Sequence, residues 1–400
     1  MQNKTLLKLG LIALLLLGVG LMQRDSQGPQ QAGVTGDPAL LPGLADRLND
    51  VASITISSTG GSWSVSRTDS VWGLDSKGGY PVKMEEVRET LIALSESQKV
   101  EAKTKLASSY PRLGVEGPGA EGSESKLVNL TDANGDVIAA LIVGKKREST
   151  GKSSFYAREA DSETSWLASG SLNISEDSDS WLDKKILELK RERIRAVQIL
   201  HPDMEEIFVA RDSEEDENYE VYDVPEGSEL KYEAVASGMG SALQYLSFVD
   251  VRPAEGFEPP NRTPTTAQFW TFDGLLVSVV IYSVAEVPEN ETFYAIFSVA
   301  DACGGPERLK ATGPEPAPAE EGEETTARST EEIFAEVEEL NAKLSSWVYE
   351  LASFSKANLT KRMADLTQAI AVEEEGATQP ETSGFQLPGD LSIPTNEDGR

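Results

Sequence analysis

"LVNLTDANGDVIAALIVGKK", residues 127–146, admits three readings, and the choice among them sets the fold class. A calcium loop of the EF-hand kind needs oxygen ligands at positions one, three, five and twelve and a glycine at six. Asp132, Asn134 and Asp136 supply the first three, but Val137 stands where the glycine belongs and Val143 where the closing glutamate belongs. A phosphate loop needs a glycine-rich turn that opens a helix and a Ser or Thr after the lysine; "VGKK" has neither. The third reading is a hairpin. "LVNL" and "VIAALIV" are strand-like runs, and Asn134-Gly135 between them suits a type I′ turn. Further on, "FWTF", Asp273-Gly274 and "LLVSVVIYS" repeat the construction with no calcium pattern at all.

Working outward from the two hairpins, the order of signals repeats. The first stretch, residues 44–180, runs through "SITISS", "SWSVSR" and "VWGLD", a helix in "KMEEVRETLIALSESQKVEA", then the hairpin and "SSFYAREADSETSWLAS". The second, residues 196–304, runs through "AVQILH", "EIFVARD" and "YEVYDV", a helix in "KYEAVASGMGSALQYLSFVDVRP", then its own hairpin and "ETFYAIFSVAD". Strands that alternate apolar and polar residues with one interposed helix predict an α+β fold of two similar antiparallel-sheet-plus-helix units. "WLDKKILELKRERI" spaces Leu182, Ile186 and Leu189 at helical intervals, predicting a connecting helix over 181–195.

Composition narrows the chemistry. The 400 residues carry 36 Lys and Arg against 67 Asp and Glu, a net charge of −31, which repels nucleic acid. Cys303 is the only cysteine and His201 the only histidine, so neither an internal disulfide nor a site built on two imidazoles is possible. There is no GxSxG motif, and nothing in the spacing of the acidic residues singles out a catalytic pair. No catalytic, cofactor-binding or metal-ligating residue is therefore assigned, and no cofactor is expected. Trp270, Phe272, Tyr282, Phe293, Tyr294 and Phe297 would suit a ligand groove but read first as core.

The ends of the chain read differently. Lys4 and Lys8 precede an uncharged apolar run that includes Leu9, Leu11, Leu14, Leu15, Leu16, Leu17 and Leu21. This predicts a signal anchor over residues 1–22 with its N-terminus in the cytoplasm and the bulk of the chain outside the inner membrane. Residues 23–43 read as a flexible stalk, 305–330 as an acidic Pro-rich linker and 373–400 as a disordered tail. Between the last two, "STEE" at 329–332 predicts a capping box. Ile333, Val337, Leu340, Leu344, Trp347 and Leu351 form an apolar stripe, so 331–372 reads as an amphipathic helical segment, with a coiled-coil seam as the weaker alternative.

Several short motifs carry a resemblance. Tyr110, Leu113 and Gly114 in "SSYPRLGVEGPG", Gly144 and Lys145 at the end of the first hairpin, and Tyr156 and Arg158 in "SSFYAREA" resemble a bacterial family known as domain of unknown function 4340. "WLDKKILEL" and "WVYELASFSKANLTKRMADL" are also similar to that family's later segments. The chain departs from the pattern in two places: a proline usual after the Leu-Gly pair is displaced to Pro118, and the acidic insert at 305–330 is its own. The family is similar to proteins encoded beside gliding-motility-type ABC transporters. The resemblance thus implies a non-enzymatic accessory or scaffold role in such a membrane complex and carries over no catalytic residue. An envelope hydrolase using paired carboxylates and an acidic ligand-binding module are the alternatives.

Overall fold

A computed structural model describes residues 38–149, 152–285, 291–302, 305–310 and 328–370. The predicted anchor leucines, Cys303, residues 311–327 of the linker and the predicted tail lie outside the described residues. Among the described residues no helix is long and apolar enough to cross a membrane. The chain divides into two units at Asp183/Lys184.

The first unit is one antiparallel sheet with a helix. Its strands are β1 (Val51–Ser58), β2 (Gly61–Thr68), β3 (Val71–Leu74), β4 (Tyr80–Pro81), β5 (Gln98–Thr104), β6 (Lys126–Asp132), β7 (Val137–Ser149), β8 (Lys152–Glu159) and β9 (Ser165–Ser169). They lie in the order β4-β3-β2-β1-β6-β7-β8-β9-β5. Alternation in "SITISS" buries Ile54 and Ile56, and a bulge between Val51 and Ser53 brings Val51 into the core as well. The helix Met84–Glu96 buries Val87, Thr90 and Leu94, spaced by three and four. Folding begins earlier than the predicted stalk boundary. Leu40 and Leu41 are buried, and the Leu40 N–H donates to the Ser97 carbonyl at 2.8 Å, because two leucines next to an exposed edge cover it better than solvent does.

The second unit has β10 (Lys185–Leu187), β11 (Ile194–Leu200), β12 (Glu206–Ala210), β13 (Glu220–Val221), β14 (Ser228–Leu230), β15 (Leu246–Pro253), β16 (Thr265–Thr271), β17 (Leu275–Ala285), β18 (Glu291–Asp301), β19 (Trp347–Leu351) and β20 (Thr367–Ala369). Its main sheet reads β13-β12-β11-β16-β17-β18-β19-β15-β10, and β14 pairs with β20 apart from it. Setting β1 against β11 puts eight strands of each sheet in the same order. The register agrees too: the bulge in β1 before Ser53 has its counterpart in β11 between Ile194 and Ala196.

The hairpin turns match each other and correct the turn type. In both, only the glycine has a positive φ, 86° at Gly135 and 95° at Gly274, whereas a type I′ turn needs two such residues in succession. Each is a turn closed over four residues, with the Gly135 N–H donating to the Asp132 carbonyl and the Gly274 N–H to the Thr271 carbonyl. The side chain at the first position finishes the loop. Asp132 Oδ1 accepts from the backbone N–H of Asn134 and Asp136, and Thr271 Oγ1 accepts from the N–H of Leu275. An oxygen that resembled a calcium ligand is thus engaged by backbone amides.

Three predicted helices are corrected. Residues 181–195 form no connecting helix: 3-10 turns at Ser178–Trp181 and Arg191–Arg193 flank β10, which pairs with β15. Ile186 and Leu187 are both buried there, and sheet pairing overrides the helical preference of Leu, Lys and Glu. In "KYEAVASGMGSALQYLSFVDVRP" only Ser237–Gly240 is helical. Gly238 and Gly240 weaken a helix, and a Cβ on Gly240 would collide with the Tyr219 ring. The segment 331–372 is not one helix: Thr330–Leu344 is helical and carries the predicted capping box, but β19, the helix Ser353–Leu359 and β20 follow. Trp347 and Leu351, expected on the apolar stripe, belong to a strand whose pairing with β15 and β18 joins them into one sheet. The first and last parts of the predicted acidic linker also belong to the fold, as Glu307–Lys310 is a helical turn and Arg328 an ion-pair partner.

Candidate functional site

The residues of the short motifs meet at one place in the first unit. Between β7 and β8 the register shifts so that Gly144 and Lys145 together stand opposite Tyr156, a β-bulge. The helical turn Tyr110–Leu113 ends at Gly114, whose φ of +67° is left-handed, and the following residues lie across the bulge. A Cβ on Gly144 would collide with the Leu113 carbonyl and lie 2.7 Å from the Gly114 oxygen, so only glycine permits this approach. Arg158 closes the arrangement. Its Nε donates to the Val115 carbonyl at 3.0 Å, its Nη1 to the carbonyls of Ser162 at 2.9 Å and Ala160 at 3.3 Å, and its guanidinium lies 4.7 Å from the Tyr110 ring centroid. The Tyr110 hydroxyl donates to the Glu163 carbonyl at 2.6 Å. Tyr110, Val115 and Ile142 form a small buried core, with Leu113, Leu127 and Tyr156 packed on it.

Six of the seven motif positions therefore build a clamp between a turn and a bulged strand. The seventh, Lys145, is exposed and pairs with Glu124 at 3.6 Å. The second unit has no bulge at the matching place, since β17 and β18 pair without a shift.

Other charged side chains are also spent on architecture. Arg211 is buried and donates to the carbonyls of Ile194, Glu214, Asp216, Arg191 and Glu192. Arg193 forks between Glu336, at 2.9 and 3.0 Å, and Asp273, at 2.8 Å, tying the helix Thr330–Leu344 to the β16–β17 turn. Burial pushes the carboxyl of Asp273 up, but the Thr271 hydroxyl and Arg193 outweigh it and hold it below the usual range. Glu336 is likewise pushed up by burial and brought lower, on balance, by Arg193 and Arg328. His201, the lone histidine, is buried at the end of β11 with Nε2 3.0 Å from the Lys361 carbonyl. Among the described residues no group of three His, Cys, Asp or Glu side chains could hold a metal ion.

Of the six aromatic residues considered for a groove, Trp270, Phe293 and Phe297 are buried in the second unit. Tyr294 lines a cavity of about 480 Å³ with Arg252, Pro253, Glu255, Phe257 and Glu258. The rings there face one another and Arg252: the guanidinium is 4.1 Å from the Tyr294 centroid, and Phe257 meets Tyr282 and Tyr294 edge-on at 6.3 and 5.8 Å. Glu255 and Glu258 did not stand out in the sequence, because two exposed glutamates in an acidic chain carry no signal until the β15–β16 loop folds over Tyr294.

Residues 72–266 match the family described as Domain of unknown function (DUF4340). The chain carries a DUF4340 region. That region covers just under half of the chain, starts within β3 and ends in β16, so it includes the whole clamp and crosses the boundary between the units. Comparison with curated proteins and with solved structures gave no match.

Proposed function

We propose that this protein is a non-enzymatic scaffold, held at the outer face of the cytoplasmic membrane by residues 1–22 and serving as an accessory to an ABC-type, gliding-motility-like transport complex. The observation that carries the reading is the fate of the motif residues. Tyr110, Gly114, Gly144, Tyr156 and Arg158 fix a turn onto a strand, and the polar atoms of Tyr110 and Arg158 are directed at backbone carbonyls. Residues used in this way preserve a shape, which is what a partner protein reads. Residues that serve a reaction would converge on an open space. The association with a transport complex rests on the sequence resemblance.

The test is affinity purification of the tagged full-length chain from detergent-solubilised membranes. Transporter subunits are expected to co-purify; recovery of the protein alone, while other membrane complexes stay intact, overturns the proposal. The hydrolase alternative draws on the cleft where Glu255 and Glu258 flank Phe257 and Tyr294. Turnover of envelope glycan fragments that E258Q abolishes would replace the scaffold reading with that one.

A further inference from the structure

The cavity of about 480 Å³ at Tyr294 is lined by one cation, Arg252, and two carboxylates, Glu255 and Glu258, together with Phe257, Pro260 and Val284. Its volume lies within the range of small-molecule sites, about 300–1,000 Å³.

The arrangement follows from the strands and one turn. Tyr282 stands opposite Tyr294, Tyr294 opposite Glu350, and Arg252 opposite Val348, two residues from Glu350, so Tyr282, Tyr294 and Arg252 share one face of the sheet. The chain leaves β15 in a turn over residues 254–257, in which Gly256 takes a φ of +78° and the Phe257 N–H donates to the Ala254 carbonyl at 3.1 Å. The Ala254 N–H donates in turn to the Ser346 carbonyl at 2.8 Å, which pins the turn beside β19. Phe257 thereby returns to the tyrosine rings, while Glu255 and Glu258 stay exposed.

The Arg252 guanidinium rests on two rings, 4.1 Å from the Tyr294 centroid and 5.4 Å from that of Phe257. Among the described residues its side chain has no hydrogen-bond or ion-pair partner, although Glu255 and Glu258 line the same cavity, and neither glutamate has a basic partner. A guanidinium held against aromatic rings keeps its N–H edge, which matches a carboxylate with two parallel hydrogen bonds. The two glutamates suit an ammonium group. Because these opposite charges share one space without meeting, a ligand with a charge at each end fits between them. An aromatic ligand would have to displace Arg252 from Tyr294, whereas a methylene chain needs only the side formed by Pro260 and Val284.

We propose that this cavity binds a lysine-type group, its carboxylate on Arg252, its side-chain ammonium on Glu255 and Glu258, and its methylenes against Pro260 and Val284. Such a group occurs as the free amino acid and as the carboxyl-terminal residue of a peptide. The two glutamates hold a cation here and cleave no bond, so the inference stands apart from the scaffold role and from the hydrolase alternative, and each can fail alone.

The probes are lysine and Nα-acetyl-lysine, titrated calorimetrically into the full-length protein in detergent. Each is set beside its amide, which lacks the carboxylate, and its norleucine counterpart, which lacks the side-chain ammonium. At least one lysine form is expected to bind about ten-fold or more tightly than both of its counterparts. R252Q should weaken that form about ten-fold and leave its amide unchanged, and E255Q/E258Q should bring it down to the level of the norleucine compound. All three side chains are exposed, so the variants are expected to fold, which an unchanged thermal transition would verify; where R252Q shifts the transition, E255Q/E258Q decides. Equal affinity for the lysine forms and their amides, insensitivity to E255Q/E258Q, or no binding of either form at millimolar concentration overturns the proposal. Binding of lysine alone supports the free amino acid as the source, and binding of acetyl-lysine supports a peptide end.

Discussion

Gly144 on β7 and Arg158 on β8 both hold the turn at 113–115, one by leaving room for its carbonyls and the other by donating hydrogen bonds, so their loss should differ in character. G144A places a methyl group against the Leu113 and Gly114 carbonyls and must push the turn off the bulge, so it should cost about 1–3 kcal/mol through strain. Arg158→Leu keeps bulk but leaves the carbonyls of Val115, Ala160 and Ser162 without their donor, at a cost of about 2–4 kcal/mol. K145A removes an exposed ion pair and should change stability by less than about 0.5 kcal/mol. Chemical denaturation of the three variants checks the ordering; an effect of K145A as large as that of G144A would refute the clamp. These residues were legible through the family resemblance, which marked their positions without saying what they do. The role of Arg211 was not legible, since it depends on the five backbone carbonyls that fold around its guanidinium.

Among the elements, the hairpins were legible and the helices less so, for a physical reason. A hairpin is specified locally, by alternation on both sides of a turn residue, and both β6–β7 and β16–β17 formed as expected apart from the turn type. The apolar spacing in 181–194 and 347–351 is compatible with either period, and distant partners decided it: β15 recruits β10, while β15 and β18 recruit β19. The helix Thr330–Leu344 depends on its ends. Ser329→Ala removes the capping bond to the Glu332 N–H and should cost about 0.5–2 kcal/mol, read from the thermal transition of the second unit. Its tie through Arg193 predicts acid sensitivity. Asp273 and Glu336 have folded pKa values below their ordinary 3.8 and 4.5, so their contribution is complete above those values and is lost as pH falls through the lower, folded ones. D273N should flatten the decline in stability below about pH 4.5 and lower the plateau above it, by acid titration of unfolding.

At the scale of the whole molecule, each main sheet is built from strands of its own unit, and eight strands of each follow the same order, with unequal elaboration around them. β8 passes to β9 through a short turn, whereas the counterparts β18 and β19 are separated by residues 302–346, which include the acidic insert and the capped helix. Residues 38–183 and 184–370, expressed separately, should each give cooperative unfolding and well-dispersed amide spectra; a molten first unit would show that it borrows stability from elsewhere.

That long excursion also sets a timetable for synthesis. The first unit has all of its strands once residue 169 has left the ribosome. The second must wait for residue 351, because β19 alone bridges β18 to β15 and, through it, β10. Until then β18 and β15 expose unpaired backbone edges to any neighbouring nascent chain. A stop codon after Ser346 therefore should do more than shorten the protein: it should turn the second unit into a seed for aggregation while leaving the first unit soluble.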